Sequence, residues 1–501
     1  MNVTAQLEEL SRKAQVIADL GGAASLMSWD QETTMPAGGA GYRAVQLGTL
    51  ARLSHQYYVS PALGDLLRSL DHALSDRDYG DPQRSIVRVM LREHRQRSRI
   101  PEDLVAKIAE HSAKARETWK EARKQSDFSI FVEDLETQFD YARQLADALG
   151  YEENPYDALL DQFESGLTYR LIRGEFDRVK PRLSELIGRI SGNSDRVGDE
   201  ALRRHYPQEA QLAFGRKMAE EMGFDFHRGR LDLSTHPFTS GSSVDDVRLT
   251  TRVDAQYLPD CVMSTIHEAG HGIHFQNNAA EYARFPFRFG LALAESQSRF
   301  YENLIGRTRE FWEYALPAFH EHFPEARDVT AEELYAGVNR SQPSFIRVDA
   351  DEVTYGMHIM LRFELENSVV NKELAVRDLP GEWNRRMEEY LGITPPSDAQ
   401  GVLQDIHWSQ GGIGYFPDYL LGSMLSSQLW DALESSLPDA RSKIRSGEFA
   451  PITAWLKEKV QKHGGAFTFT ELAERATGEA FTSEPYMRYL EGKYGELYGL
   501  S

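Results

Sequence analysis

The 501-residue chain sets 77 Asp and Glu against 56 Lys and Arg, a formal net charge of −21, with 41% apolar and 27% charged residues. That balance is ordinary for a folded globular protein, and the acidic excess argues against nucleic-acid phosphates or anionic membranes as main partners. Its one cysteine, Cys261, excludes an intramolecular disulfide and a thiolate metal cluster.

Met1 to Leu20 mixes charged and apolar residues with no signal-peptide core. No apolar run reaches the ~18 residues of a membrane span. A cytoplasmic protein is expected. The first 230 residues read mainly as amphipathic helices. One starts at Pro101, with Glu102 and Asp103 in a favourable first turn. Leu104, Val105, Ile108 and Ala109 follow at the helical period and predict its apolar face. Segments 129–149, 169–190 and 207–222 behave alike, punctuated by clusters such as Gly150 to Pro155. Arg92, Arg95, Arg97 and Arg99 fall in another helical stretch and read as a solvated face.

Between 231 and 257 the pattern changes. Leu231-Asp232-Leu233 and Val247 to Val253 largely alternate apolar and polar side chains, with Gly241 and serines between them. This predicts a small antiparallel β element in an otherwise helical protein. Helices resume near 260 and continue, with turns near Pro395, Gly411 to Gly414, Pro451 and Gly464. The expected fold is mostly α: a single large helical domain over 1–501, with a helical N-terminal part (1–230) and a metal- and substrate-binding part (231–501).

The helix after 260 carries His267-Glu268-Ala-Gly-His271. Residues four apart differ by about 40° on a helix, so both histidines project from one face and can share one Zn²⁺. Glu268 lies about 100° round from His267, beside the ion, where it can accept a proton from an activated water. A third ligand is required. A His six residues after His271 is one route, but that position is Asn277. A Glu on a later helix is the other route. Glu295 fits, with Glu302 two turns further along as the alternative and Glu281 too close to fold back. His274, one turn beyond His271, reads as a packing or hydrogen-bonding residue. Gly270 and Gly272 each cost up to about 1 kcal/mol inside a helix, which implies a close approach there by another helix or by substrate.

Five motifs in order now carry a family resemblance. They are Asp246-Val-Arg248-Leu-Thr250, His267-Glu268-Ala-Gly-His271, Glu295-Ser296-Gln297, Ile346-Arg347-Val-Asp349-Ala350-Asp351 and Gly401-Val-Leu-Gln404-Asp405-Ile-His407-Trp408. Ser28-Trp29-Asp30-Gln31-Glu32 and His236-Pro237-Phe238-Thr239 add support. The sequence resembles the M32 metallocarboxypeptidases of the thermostable carboxypeptidase 1 type. That resemblance implies a gluzincin-like helical fold with a deep active-site groove, zinc with cobalt as a substitute, and a homodimer. It also implies hydrolysis of the last peptide bond of peptides with a free C-terminus, with broad specificity. Ala294 departs from the pattern: family members carry His there, so a hydrogen bond or subsite contact from that imidazole is not expected. Phe285 to Phe289 is also more aromatic than the family pattern.

Within this frame Arg347 is the candidate for the substrate's terminal carboxylate, because a buried guanidinium offers paired, charge-assisted hydrogen bonds. Its structural alternative is an ion pair with Asp349 or Asp351. Arg248 is the second candidate, against a strand-stabilising pair with Asp246. Tyr415, on the turn Gly411 to Pro417, and His407 are the candidate donors to the developing oxyanion, with Tyr419 behind Tyr415. Gln404 and Asp405 are expected to orient His407, and Trp408 and Trp29 to pack. The glycine-rich turn lacks the Lys-Ser/Thr of a phosphate loop. The competing readings are a gluzincin oligopeptidase or dipeptidyl carboxypeptidase, and a helical binding protein that keeps a zinc site without catalysis.

Overall fold

The computed structural model describes residues 2–286 and 289–500, so Phe287 and Arg288 of the aromatic segment lie outside the described residues. Helices Val132–Leu149, Tyr169–Ser191 and Gln208–Glu221 occupy the expected segments. Helix Glu102–Gln125 starts where Pro101 predicts, with acidic residues in its first turn and Arg123 and Lys124 in its last, both favourable to the helix dipole. Its buried stripe differs from expectation. It runs through Leu104, Ala115, Trp119 and Ala122, while Val105 is 41% exposed. The true stripe steps 104, 115, 119, 122, and Val105 is rotated about 100° out of it.

The arginine series lies on helix Pro82–Arg99. Arg92 pairs with Asp161 at 2.6 Å, Arg97 with Glu93 at 3.4 Å, and Arg99 donates to the Leu149 carbonyl at 2.8 Å. These cations are matched within the chain, in keeping with a helix face.

The β element is a three-stranded mixed sheet, which corrects the purely antiparallel expectation. β1 (Gly229–Leu233) pairs parallel with the central β3 (Asp246–Thr251), and β2 (Thr239–Ser243) pairs antiparallel on its other side. The Gly- and Ser-rich stretch that reads as a connection is itself a strand. Its side chains are small because helix Val3–Thr33 lies against it. Ser25 and Ser240 share a hydrogen bond at 2.8 Å, and a Cβ on Gly22 would stand 2.6 Å from the Ser242 carbonyl oxygen. Trp29 of the same helix is 4% exposed, under the guanidiniums of Arg248 and Arg230 at 4.3 and 5.0 Å.

On β3, Val247 and Leu249 are fully buried against helix Pro259–Gln276, the helix that carries the His-Glu motif. Buried apolar side chains form one cluster from Leu10 to Tyr498, crossing the 230/231 boundary. Cys261 lies in this interior, where burial pushes its thiol up to about 11. Among the described residues, no helix is long and apolar enough to cross a membrane.

Candidate metal and active site

Three helices converge on the His-Glu motif, and two glycines set their spacing. A Cβ on Gly270 would stand 2.7 Å from Ser298 Cα and 2.8 Å from the Gln297 carbonyl oxygen, both backbone atoms of helix Leu291–Arg299. A Cβ on Gly422, in helix Pro417–Ser436, would stand 2.6 Å from Glu295 Cβ. Gly272 faces Phe224 and Leu249. Helix, strand and ring packing therefore account for both glycines in the motif. Gly270→Ala should push the two metal-site helices apart, destabilise the fold by about 1–3 kcal/mol and weaken metal retention. Chemical denaturation and metal titration would check this, and an unchanged midpoint with unchanged affinity would refute it.

With the helices so close, one nitrogen of His267, one of His271 and one carboxylate oxygen of Glu295 all lie within 4.8 Å of one another. Nε2 of His267 is 3.7 Å and Nε2 of His271 3.5 Å from the same Glu295 oxygen, Oε2. The other oxygen, Oε1, accepts from Arg299 Nε at 2.7 Å. Burial favours the neutral acid, but Arg299 and the two imidazoles outweigh it and hold Glu295 well below the usual carboxylate range.

Glu302 stands behind the imidazole. Its Oε2 takes His267 Nδ1 at 2.8 Å and Arg299 at 3.0 Å, and its Oε1 takes Arg307 at 2.9 Å. A carboxylate at Nδ1 draws the ring proton there and leaves the Nε2 lone pair for a metal. Glu302 is thus placed as the partner of His267, on the far side from Glu295 Oε2. It lies within a π-helical stretch, Phe300–Gly306, of the kind often found at functional sites. At i+4 and i+7 from Glu295, Arg299 and Glu302 lie on its face of the helix. That spacing was the signal available in the sequence for both.

Glu268 is 6% exposed. Thr239, the first residue of β2, places its hydroxyl 2.6 Å from Glu268 Oε2. His274 packs against Phe289, ring centroids 4.1 Å apart, and burial with the neighbouring His271 pushes it down to about 3, so the ring is neutral. Ala294 presents only a methyl group.

A second cluster lies on the segment 347–419. Arg347 is 6% exposed. Its Nε and Nη2 donate to Asp405 at 3.1 and 2.8 Å, and its Nη1 to the Tyr355 hydroxyl at 3.1 Å. Its ion-pair partner is therefore Asp405, in place of Asp349 or Asp351. Arg362 also donates to Asp405, at 2.7 Å, and to Gln404 Oε1 at 2.8 Å. Gln404 Oε1 further accepts from the Arg347 amide at 2.8 Å. The expectation for Gln404 and Asp405 is thus corrected. They hold two buried arginines, and His407 Nδ1 stands 3.8 Å from Asp405 with no hydrogen-bond partner among the described residues. Two guanidiniums outcompete one neutral imidazole for the same carboxylate, since charge-assisted bonds are the stronger. Burial, with Arg347 and Arg362 nearby, pushes His407 down to about 4.

The Tyr415 ring lies beside that of His407, tilted 39° with centroids 5.1 Å apart, and Tyr419 donates to its hydroxyl at 3.4 Å. Burial pushes the Tyr415 phenol up, so it keeps its proton. Glu366 holds the preceding turn. Its buried carboxylate accepts from Trp408 Nε1 at 2.6 Å, Gly414 N–H at 2.8 Å and the Tyr156 hydroxyl at 2.6 Å. Nothing local in the sequence singles out Glu366 or Arg362, whose partners lie far along the chain. Arg248 pairs with Asp246 at 2.9 Å, the strand-stabilising alternative.

A family model described as Carboxypeptidase Taq (M32) metallopeptidase matches residues 9–494. The chain is 37% identical over 492 residues to thermostable carboxypeptidase 1 of Pyrococcus furiosus, covering 97% of this chain and 98% of that protein. It is 36% identical to carboxypeptidase 1 of Bacillus subtilis, covering 95% of each. Among solved structures, an M32 carboxypeptidase from Deinococcus radiodurans superposes with a TM-score of 0.95 at 39% identity, covering 99% of this chain and 100% of that one.

Proposed function

Because the chain belongs to the M32 family, it is a metal-dependent carboxypeptidase acting on peptides, and we propose that its ion is zinc, held by His267, His271 and Glu295. The observation that carries this reading is the ligand geometry. Tetrahedral ligands at ~2.0–2.1 Å from one zinc lie roughly 3.3–3.4 Å apart. The nitrogen–oxygen separations of 3.5 and 3.7 Å need little adjustment to reach that. Two imidazoles and a carboxylate also make a three-ligand set of the kind that leaves a fourth zinc position for water or substrate, and cobalt accepts the same donors.

When bound, a divalent ion of this kind polarises the scissile carbonyl and lowers the pKa of the attacking water. The chain's own groups supply the rest. Glu268 takes the proton of the attacking water and hands it to the leaving amine. The Tyr415 hydroxyl or an N–H of neutral His407 donates to the carbonyl oxygen as it gains charge. Arg347 has five N–H bonds. Nε and one each from Nη1 and Nη2 are committed to Asp405 and Tyr355. Among the described residues one N–H on each terminal nitrogen has no partner, leaving donors for a terminal carboxylate. Arg248, already matched to Asp246, is the weaker candidate for that task. Broad single-residue release by one catalytic unit spanning 1–501, in a cytoplasmic homodimer, completes the proposal. The family resemblance supports the dimer.

Mass spectrometry of an N-acylated peptide and of its C-terminal amide, each with zinc-loaded and chelated enzyme, tests the reading. Loss of one residue from the free acid alone, abolished by chelation, is expected. Equal cleavage of the amide would remove Arg347's role. Products two residues long, or internal cuts, would favour a dipeptidyl carboxypeptidase or oligopeptidase.

A further inference from the structure

The Glu268 carboxylate has one hydrogen-bond partner among the described residues, the Thr239 hydroxyl, 2.6 Å from Oε2. The same hydroxyl lies 2.9 Å from the Glu268 backbone carbonyl. A threonine hydroxyl carries a single proton. The shorter contact, to a charged acceptor, is the stronger claim on it. Oε2 is therefore tethered, and Oε1 is left for a water proton.

The tether is itself anchored. Thr239 pairs with Leu249 in the antiparallel register of β2 and β3. One residue earlier, the Phe238 amide donates to Thr250 Oγ1 and its carbonyl accepts from the Thr250 amide, both at 2.9 Å. Helix Val3–Thr33 presses on the next residue through the Ser25–Ser240 bond. The hydroxyl thus projects from a fixed strand onto a side chain of a different element. A free glutamate side chain samples several rotamers, and this bond selects one.

We propose that Thr239 is a positioning residue for peptide hydrolysis, its hydroxyl holding Glu268 in the orientation that receives the water proton through Oε1. This rests on Glu268 being the base, as proposed above. The methyl group of Thr239 packs whether or not the hydroxyl is present, so Thr239→Val removes the donor while nearly conserving shape, and Thr239→Ser does the reverse.

The test is steady-state kinetics of zinc-loaded Thr239→Val, Thr239→Ser, Glu268→Gln and the Val/Gln double variant on the acylated peptide, with metal content measured in each. Thr239→Val is expected to lower kcat ~10–100-fold, the order of effect that misplacing a reacting group produces, at unchanged KM and unchanged metal content. Thr239→Ser should restore the rate to within about threefold of wild type. In the Glu268→Gln background the Val change should cost nothing further, because a group acting through another loses its effect when that other is removed. If Thr239→Val does not fold, the ratio of Thr239→Ala to Thr239→Ser carries the same comparison. A Val variant as fast as wild type, a Ser variant as slow as Val, or an equal Val cost in both backgrounds would overturn the positioning role. A fully active Glu268→Gln enzyme would instead overturn the base assignment beneath it.

Discussion

Replacing Glu268 by Gln is expected to lower kcat by ~10²–10⁴, the range general acid–base catalysis contributes, while the enzyme keeps its metal. The side chains have nearly the same shape, so the 6% exposed site is not remodelled. The amide oxygen still accepts from Thr239. What is lost is the basic carboxylate, since an amide takes no proton at neutral pH. His267, His271 and Glu295 are untouched, and the Glu302 bond that orients His267 remains. Metal analysis beside single-turnover kinetics separates the two effects. Normal turnover by a metal-loaded Gln variant would remove Glu268 from the proton transfers, whereas loss of the ion would recast it as part of the metal site.

The largest expected effect on stability comes from Asp405→Asn. Asp405 is the shared acceptor of Arg347 and Arg362, whose side chains are 7% and 1% exposed. A neutral amide offers one oxygen where the carboxylate offers two, and leaves two buried cations without a counter-charge. Breaking a buried pair by removing one partner costs about 3–5 kcal/mol. The pH dependence follows from the carboxyl's position. Burial opposes its ionisation, but Arg362 and Arg347 outweigh burial and hold it well below the usual range. A carboxyl with a depressed folded pKa contributes stability above its unfolded value of about 3.9 and loses it as pH falls toward the folded value. Urea unfolding should therefore show a wide gap between wild type and Asp405→Asn at pH 7, narrowing below about pH 4. An equal unfolding free energy at pH 7 would mean that the cations find other acceptors. Activity should fall as well, because Asp405 aims the Arg347 guanidinium.

Local spacing carried much of the site. His267 and His271 lie four apart in one helix, and Glu295, Arg299 and Glu302 follow the same arithmetic in the next. Of the two glutamates the sequence offers, Glu295 brings an oxygen to within 3.7 Å of both His267 Nε2 and His271 Nε2, and Glu302 lies at His267 Nδ1. Asp405 and His407 are two residues apart in the chain, but nearness in sequence is not contact. Arg362, 43 residues away, reaches the carboxylate at 2.7 Å, while His407 stays 3.8 Å off. The β2 strand carries no strand signal of its own. Glycine and serine lack the branched side chains that signal a strand, and they are present because helix Val3–Thr33 needs the room.

The sequence by itself determined that this is a helical protein with a small sheet, and which helix presents two imidazoles and an adjacent carboxylate on neighbouring faces. These follow from hydrophobic period and helical pitch, which act over a few residues. Only the tertiary structure decided that Gly270 and Gly422 bring three helices to backbone contact, that Thr239 meets Glu268 from 29 residues away, and that Asp405 serves two arginines. Those contacts join segments distant in the chain, and a hydrogen bond between distant segments leaves no periodicity in either of them.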